Sequence, residues 1–250
     1  MATTQEMSLR VPASCRPGDM HKTERAYTEI VEEYVEGVYR LKEAIGTVST
    51  GDLAEYMCVS AGSATSMVKK LKQQGLVEYE KYKGVTLTPM GEKLAKQLSR
   101  AHRILKRFLV DVVGLPWNDV HELACKLEHY ISPDVIEQMY ERLGRPEKCP
   151  HGTPIDTEVD DKSFRLMEAN VGDCLKVVKV TNERYEFLRF LEEIGLLPEV
   201  EFEAVGATEF DGLIHLKISG KPITVGREVS RHVWVHRCPP KKNQNGKSKE

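Results

Sequence analysis

Along the run His121-Glu122-Leu123-Ala124-Cys125-Lys126-Leu127-Glu128-His129, four metal-competent side chains recur at helical spacing. At about 100° per residue, His121, Cys125, Glu128 and His129 share one helix face within an arc of roughly 100°. Two imidazoles, a thiol and a carboxylate are the usual ligands of a divalent transition metal. The plainer reading of the same face is a polar stripe with one buried cysteine and two locally paired histidines.

Such a face needs neighbours to complete a coordination shell. A preceding amphipathic helix opens at Pro89, runs to about Val113 and carries His102 among Leu94, Leu98, Leu105 and Leu109. A following helix spans Asp134 to Leu143, capped by Ser132-Pro133. Three apolar-faced helices without a sheet pack as a bundle or dimerise. Residues 144–162 read as a Pro/Gly/Asp-rich linker containing Cys149-Pro150-His151-Gly152.

Upstream, Tyr27, Ile30, Val31, Tyr34, Val35, Val38, Leu41 and Ile45 recur at helical spacing over 23–45, with Glu33 and Glu36 off that stripe. A short helix over Ser49–Tyr56 and a second one behind Ser60 follow, the latter placing Val68 and Leu71 inward. Leu76–Glu80 and Val85–Thr88 alternate as strands around a Lys81-Tyr82-Lys83-Gly84 turn. Three helices and a two-stranded wing make a winged helix-turn-helix. Small hydroxylated residues at the start of a recognition helix allow close approach to bases, and Lys69, Lys70, Lys72, Lys81 and Lys83 are placed to neutralise phosphates. After the linker, four strand patterns (174–180, 200–205, 213–218, 232–235) and a short helix (187–194) suit a small β-barrel.

The chain has 250 residues and a formal net charge of -2, so any DNA contact is a local patch and not a bulk basic field. No run of ~18 apolar residues and no apolar signal core is present, which points to a cytoplasmic protein without membrane partners. The six cysteines, at 15, 58, 125, 149, 174 and 238, are too scattered for a disulfide scaffold and suit reduced thiols or metal ligands.

With the winged helix, the metal-competent helix pair and the C-terminal strands in this order, residues 23–236 resemble the iron- and manganese-dependent repressors of the diphtheria toxin repressor family. The strands resemble the ferrous-iron transport A-type, SH3-like barrel that many members carry. The resemblance rests on Cys125-x-x-Glu128-His129 with His102 on the preceding helix. It implies a mainly α fold with small β parts: a disordered extension (1–22), a winged helix-turn-helix (23–90), a helical metal-binding and dimerisation domain (91–145), a linker (146–162), an SH3-like domain (163–238) and a disordered tail (239–250).

The resemblance implies a primary metal site of Cys125, Glu128 and His129 completed by Glu33, with Glu36 and His102 as further ligands. Glu33 stands where the iron type has Met and the manganese type a carboxylate. Cys125 stands where the manganese type usually has a carboxylate. The thiol tips the expectation towards Fe²⁺ over Mn²⁺, with other divalent transition metals able to substitute. His102 and His121 match the ancillary-site histidines of the iron type, but the glutamate expected one turn after His102 is Lys106, whose ammonium cannot ligate. Cys149 and His151 match a linker pair used by another branch. Ser60, Gly62, Ser63, Thr65, Ser66 and Lys70 fall on the DNA-facing positions, where the family often has Pro in place of Gly62; Lys83 joins them from the wing. The function implied is a homodimeric, non-enzymatic repressor that binds palindromic operator DNA when loaded with Fe²⁺ or Mn²⁺, controls metal homeostasis genes and takes no small-molecule substrate. A metalloenzyme using the same ligands, or a metal-independent DNA-binding protein with a structural metal, are the competing readings.

Overall fold

The computed structural model describes residues 26–80, 83–156, 162–208 and 212–239. The expected N-terminal extension, nearly all of the C-terminal tail and Lys81 lie outside them. Among the described residues no helix is long and apolar enough to cross a membrane.

The first unit is the expected winged helix. Helix α1 (Glu29–Ile45) starts behind Thr28, six residues later than the periodicity suggests. Val31, Tyr34, Val35 and Val38 are its buried stripe, whereas Ile30 is exposed. Helix α2 (Thr50–Tyr56) is fixed by a capping box between Ser49 and Asp52, and α3 (Ala61–Gln73) by Ser60, whose hydroxyl accepts from the Ser63 amide. Val68 and Leu71 of α3 meet the α1 stripe and Leu53 in one core. Strands β1 (Val77–Glu80) and β2 (Gly84–Leu87) pair antiparallel as the wing. Gly84 has φ +102°, and a Cβ there would lie 2.6 Å from the Val48 carbonyl, so only glycine permits the Val48–Val85 bridge that closes the wing on α1–α2.

Helix α4 (Pro89–Phe108), capped by Thr88, continues as a π-helical turn over Leu109–Val113 and stops at Gly114, which is left-handed. It packs against α1 on one side and against α5 (Val120–Glu128) and α6 (Pro133–Arg142) on the other. Ala101, Ile104, Leu105, Ala124, Ile136 and Tyr140 form that second core. His129 is the C-cap of α5, one position beyond its last helical residue.

The segment read as a linker is packed as far as Asp156. Cys149, His151 and Ile155 are buried, Lys148 bridges to Pro154, and the Val180 amide donates to the His151 carbonyl at 2.9 Å. Gly152 has φ +83°, and a Cβ would sit 2.0 Å from the Val178 carbonyl, so this turn lies flat on the next domain.

That domain contains β3 (Phe164–Arg165), β4 (Cys174–Val180), α7 (Tyr185–Ile194), β5 (Glu201–Thr208), β6 (Leu213–Ile218), β7 (Lys221–Val225), α8 (Arg227–His232) and β8 (Val233–Arg237). The strands form one antiparallel sheet in the order β3-β8-β4-β5-β6-β7 around a third core. Sequence reading omits β3, β7 and α8. Pro222 argues against a central strand, and β7 is an edge strand, where a missing amide is tolerated.

Candidate metal centre

Two clusters of ionisable groups meet at His102 in the middle of α4. The first draws on α1, α4 and α5. His102 Nδ1 lies 2.7 Å from Glu128 Oε2, and His129 Nδ1 lies 2.8 Å from Glu32 Oε2. His129 Nε2 is 3.7 Å from Glu128 Oε1. Glu36, on the same side of α1, is held by Arg40 at 2.6 Å. Glu32, Glu36, His102, Glu128 and His129 are all buried, and Cys125 is half-buried.

Burial, then the neighbouring Glu36 carboxylate, pushes the Glu128 pKa up to about 10. Burial also pushes the Cys125 thiol up to about 12, with Glu128 adding to it. For His102, burial followed by the Lys106 charge lowers the pKa to about 3. For Glu36, burial alone would raise the pKa, but Arg40 reverses the shift and keeps it ionised. Without a metal, therefore, the adjacent Glu36 and Glu128 oppose each other's ionisation, and Arg40 favours the charge on Glu36. Glu128 Oε1 and His102 Nε2 have no hydrogen-bond partner. Orphaned buried ligand atoms, a neutral imidazole and a suppressed carboxylate fit a divalent cation, which would satisfy the orphan atoms and favour ionised Glu128 and Cys125.

The resemblance assigned Glu33 to this pocket. In this structure Glu33 is exposed, and its neighbour Glu32 reaches His129 instead. The physical reason is the 100° step of the helix. Glu32 and Glu36 are one turn apart on the buried side facing α5, while Glu33 is rotated towards solvent.

The second cluster surrounds Glu183, in the turn between β4 and α7, whose side chain is 18% exposed. Lys106 Nζ lies 2.7 Å from Glu183 Oε1 and 3.2 Å from His151 Nδ1. His121 Nδ1 is 2.6 Å and His102 Nε2 3.6 Å from Glu183 Oε2. His151 Nε2 is 2.7 Å from the Trp117 carbonyl. Burial would raise the Glu183 pKa, but the Lys106 charge, aided by the three histidines, holds it well below the usual carboxylate range. Lys106 is 1% exposed. A second metal does not fit here, because the ammonium already neutralises the carboxylate and His151 has partners at both nitrogens.

His121 also connects the clusters. Its Nε2 is 3.8 Å from Cys125 Sγ, and ligand atoms of His102, His121 and Cys125 lie within 4.8 Å of one another. Cys149 is buried but joins neither of the two such groups of three found among the described residues. Glu32 and Glu183 escaped sequence reasoning. Glu32 was one residue off the assigned position, and Glu183 lies in a turn with no ligand spacing around it.

On the winged unit, Ser60, Gly62, Ser63, Ser66 and Lys70 are exposed along one side of α3, and Thr65 is half-buried. Thr65 Oγ1 donates back to the Ala61 carbonyl at 2.8 Å, and the Ser60 and Ser63 hydroxyls share a bond of 2.9 Å. Lys83, on the wing, is paired with Glu80 at 2.6 Å in full solvent.

Residues 26–85 match the iron dependent repressor N-terminal DNA binding domain, 88–157 the iron dependent repressor metal binding and dimerisation domain, and 164–237 the FeoA domain. The iron-dependent repressor IdeR of Mycobacterium tuberculosis is 35% identical over 225 residues, covering 84% of this chain and 97% of that protein. The diphtheria toxin repressor of Corynebacterium diphtheriae is 32% identical over 223 residues, covering 83% and 96%. A manganese-dependent transcriptional repressor in complex with manganese superimposes with a TM-score of 0.77 at 30% identity, covering 83% of this chain and 100% of that one. Three consecutive domain matches and full-length relatives at this identity establish that the chain belongs to the iron-dependent repressor family of metal-dependent transcriptional repressors.

Proposed function

We propose that one divalent transition metal, held by Glu36, His102, Cys125, Glu128 and His129, switches this chain between weak and strong operator binding. Glu32 is a positioning residue that orients His129 through its Nδ1. The observation that carries this reading is the buried Glu36/Glu128 pair, with Glu128 Oε1 left without a hydrogen-bond partner, at the junction of α1 and α5. Such a cation would supply the positive charge that lets both carboxylates ionise. The residues themselves come from two units: Glu32 and Glu36 belong to the winged helix, and Cys125, Glu128 and His129 to the helical domain. Drawing them together fixes the recognition helix relative to the helical domain. In a homodimer this sets two α3 helices at the spacing of successive major grooves, which calls for a palindromic operator. The shift in population equals the difference in metal affinity between the two arrangements.

Cys125 favours Fe²⁺ over Mn²⁺, because a thiolate suits a softer ion than an all-oxygen shell does. Ser60, Gly62, Ser63, Thr65, Ser66, Lys70 and Lys83 form the DNA face, and the regulated genes are those of metal homeostasis in the cytoplasm. Lys106 takes the place of a second metal, so one tight site per chain is the expectation. DNA selected from a random-sequence pool in the presence of metal gives the probe. Titrating apo protein on that probe with Fe²⁺ (anaerobically), Mn²⁺ and Zn²⁺ tests the reading. Activation at one equivalent per chain supports it. Equal binding with chelator present overturns it.

A further inference from the structure

The third domain carries a ligand cluster remote from the one above, on the outer face of its sheet. Register places Cys174 of β4 next to Glu203 of β5 and, on the other side, one step past the Leu175–Arg237 pair, next to Cys238 beyond β8. The Cys238 amide donates to the Cys174 carbonyl at 2.8 Å, so the two cysteines face each other across the ladder. Alternation puts Leu175 and Phe202 in the core and leaves Cys174, Cys238 and Glu201 on the outer side. Ligand atoms of Cys174, Glu201 and Cys238 all lie within 4.8 Å of one another.

We propose that Cys174, Cys238 and Glu201 form a second, independent site for a Zn²⁺-class ion, which fastens the last strand of the barrel to β4 and β5. The spacing is close to what the ion needs. With thiolate bonds of about 2.3 Å, tetrahedral ligand atoms sit roughly 3.8 Å apart, so side-chain rotation closes the shell without moving the strands. Two sulfurs select a borderline-soft ion over Mg²⁺ or Ca²⁺. Two thiolates and a carboxylate exceed Zn²⁺ by one negative charge; Lys176, opposite Glu201, lies on the same face and is paired with Glu199. His236, opposite Lys176 on the same face, or water offers a fourth ligand. None of these residues contributes to the α1–α5 pocket, so the site stands or falls separately from the proposed switch.

The test uses the full reduced chain at a buffered free Zn²⁺. Iodoacetamide labelling, read by mass spectrometry at each cysteine, is compared with and without Zn²⁺. Cys174 and Cys238 become protected together, by about tenfold when free Zn²⁺ is ten times Kd. Cys174→Ser/Cys238→Ser loses one Zn²⁺ equivalent per chain and keeps metal-activated DNA binding. Co²⁺ gives wild type a thiolate-to-metal absorption that persists in Cys125→Ser and disappears in the double variant. Unchanged labelling rates at both cysteines, or equal Zn²⁺ stoichiometry in wild type and the double variant, overturn the proposal. So does recovery of the pair as a disulfide that persists in reductant.

Discussion

Glu128 and Glu183 approach the same imidazole, one at each nitrogen of His102, yet they are in opposite electrostatic states. Glu128 has no cation in direct contact, Arg40 being taken by Glu36, and burial raises its pKa to about 10. Glu183 has Lys106 at 2.7 Å, and its pKa falls well below the ordinary range. Both sites are lined by histidines and lie on α4. The difference comes from one residue on that helix, one turn after His102. A buried carboxylate with a lysine is finished when the chain folds, whereas one without waits for a cation from solution. On this contrast the proposed metal dependence resides in the first cluster and not at the joint between the helical and third domains.

The contrast is broken most severely at the first cluster. His129→Ala removes a ligand that Glu32 orients, and we expect metal-activated operator binding to be lost. The expected loss of metal affinity exceeds the roughly 10–100-fold typical of outer-shell partners. Operator binding of this variant like wild type at limiting metal would show that the switch lies elsewhere. The Glu32→Gln variant sharpens the same point. It should fall within that 10–100-fold range by metal titration, whereas Glu33→Gln should leave the affinity unchanged.

At the second cluster, Lys106→Met leaves Glu183 without its cation. Removing one partner of a buried pair costs about 3–5 kcal/mol, to be read as lower stability in denaturant unfolding of the metal-free chain. Lys106→Glu instead makes the second cluster resemble the first. By equilibrium dialysis it should take up a second metal per chain, with Glu183, His102 and His121 as partners. Two tight metals per chain in wild type would mean that Lys106 yields its place.

A smaller effect is expected from Cys125→Glu, which hardens the first site. Mn²⁺ should gain on Fe²⁺ and Zn²⁺ in activating DNA binding, and an unchanged rank order would exclude the thiol as a ligand. The smallest concerns the DNA face. Lys70→Ala should weaken binding to all sequences alike and flatten the salt dependence by roughly one unit.

Much of this was legible because it is written in local periodicity. The ligand face of α5, the caps at Ser49 and Ser60 and the wing strands all follow from residues within a few positions of one another. Glu32 was missed through a rotation of one residue, which no spacing rule on a helix with carboxylates at 32, 33 and 36 resolves. Glu183 was missed for a different reason. Its partners lie at 102, 106, 121 and 151, and only tertiary packing brings them together. The packed Cys149–Ile155 turn was hidden by its composition, since Pro and Gly read as linker signals whether or not the chain rests on a neighbour.

The position of Glu183 in the chain has a consequence for biosynthesis. Glu32, Glu36, His102, Cys125, Glu128 and His129 have all been translated before residue 183 is added. Domains fold largely as units, the N-terminal ones first. The pocket between α1 and α5 can therefore assemble while the third domain is still inside the ribosome. Throughout that interval Lys106 lacks the carboxylate it is paired with in the finished molecule. Completion of the first cluster and pairing of Lys106 are thus separated by the time needed to translate some fifty residues, from His129 to Glu183.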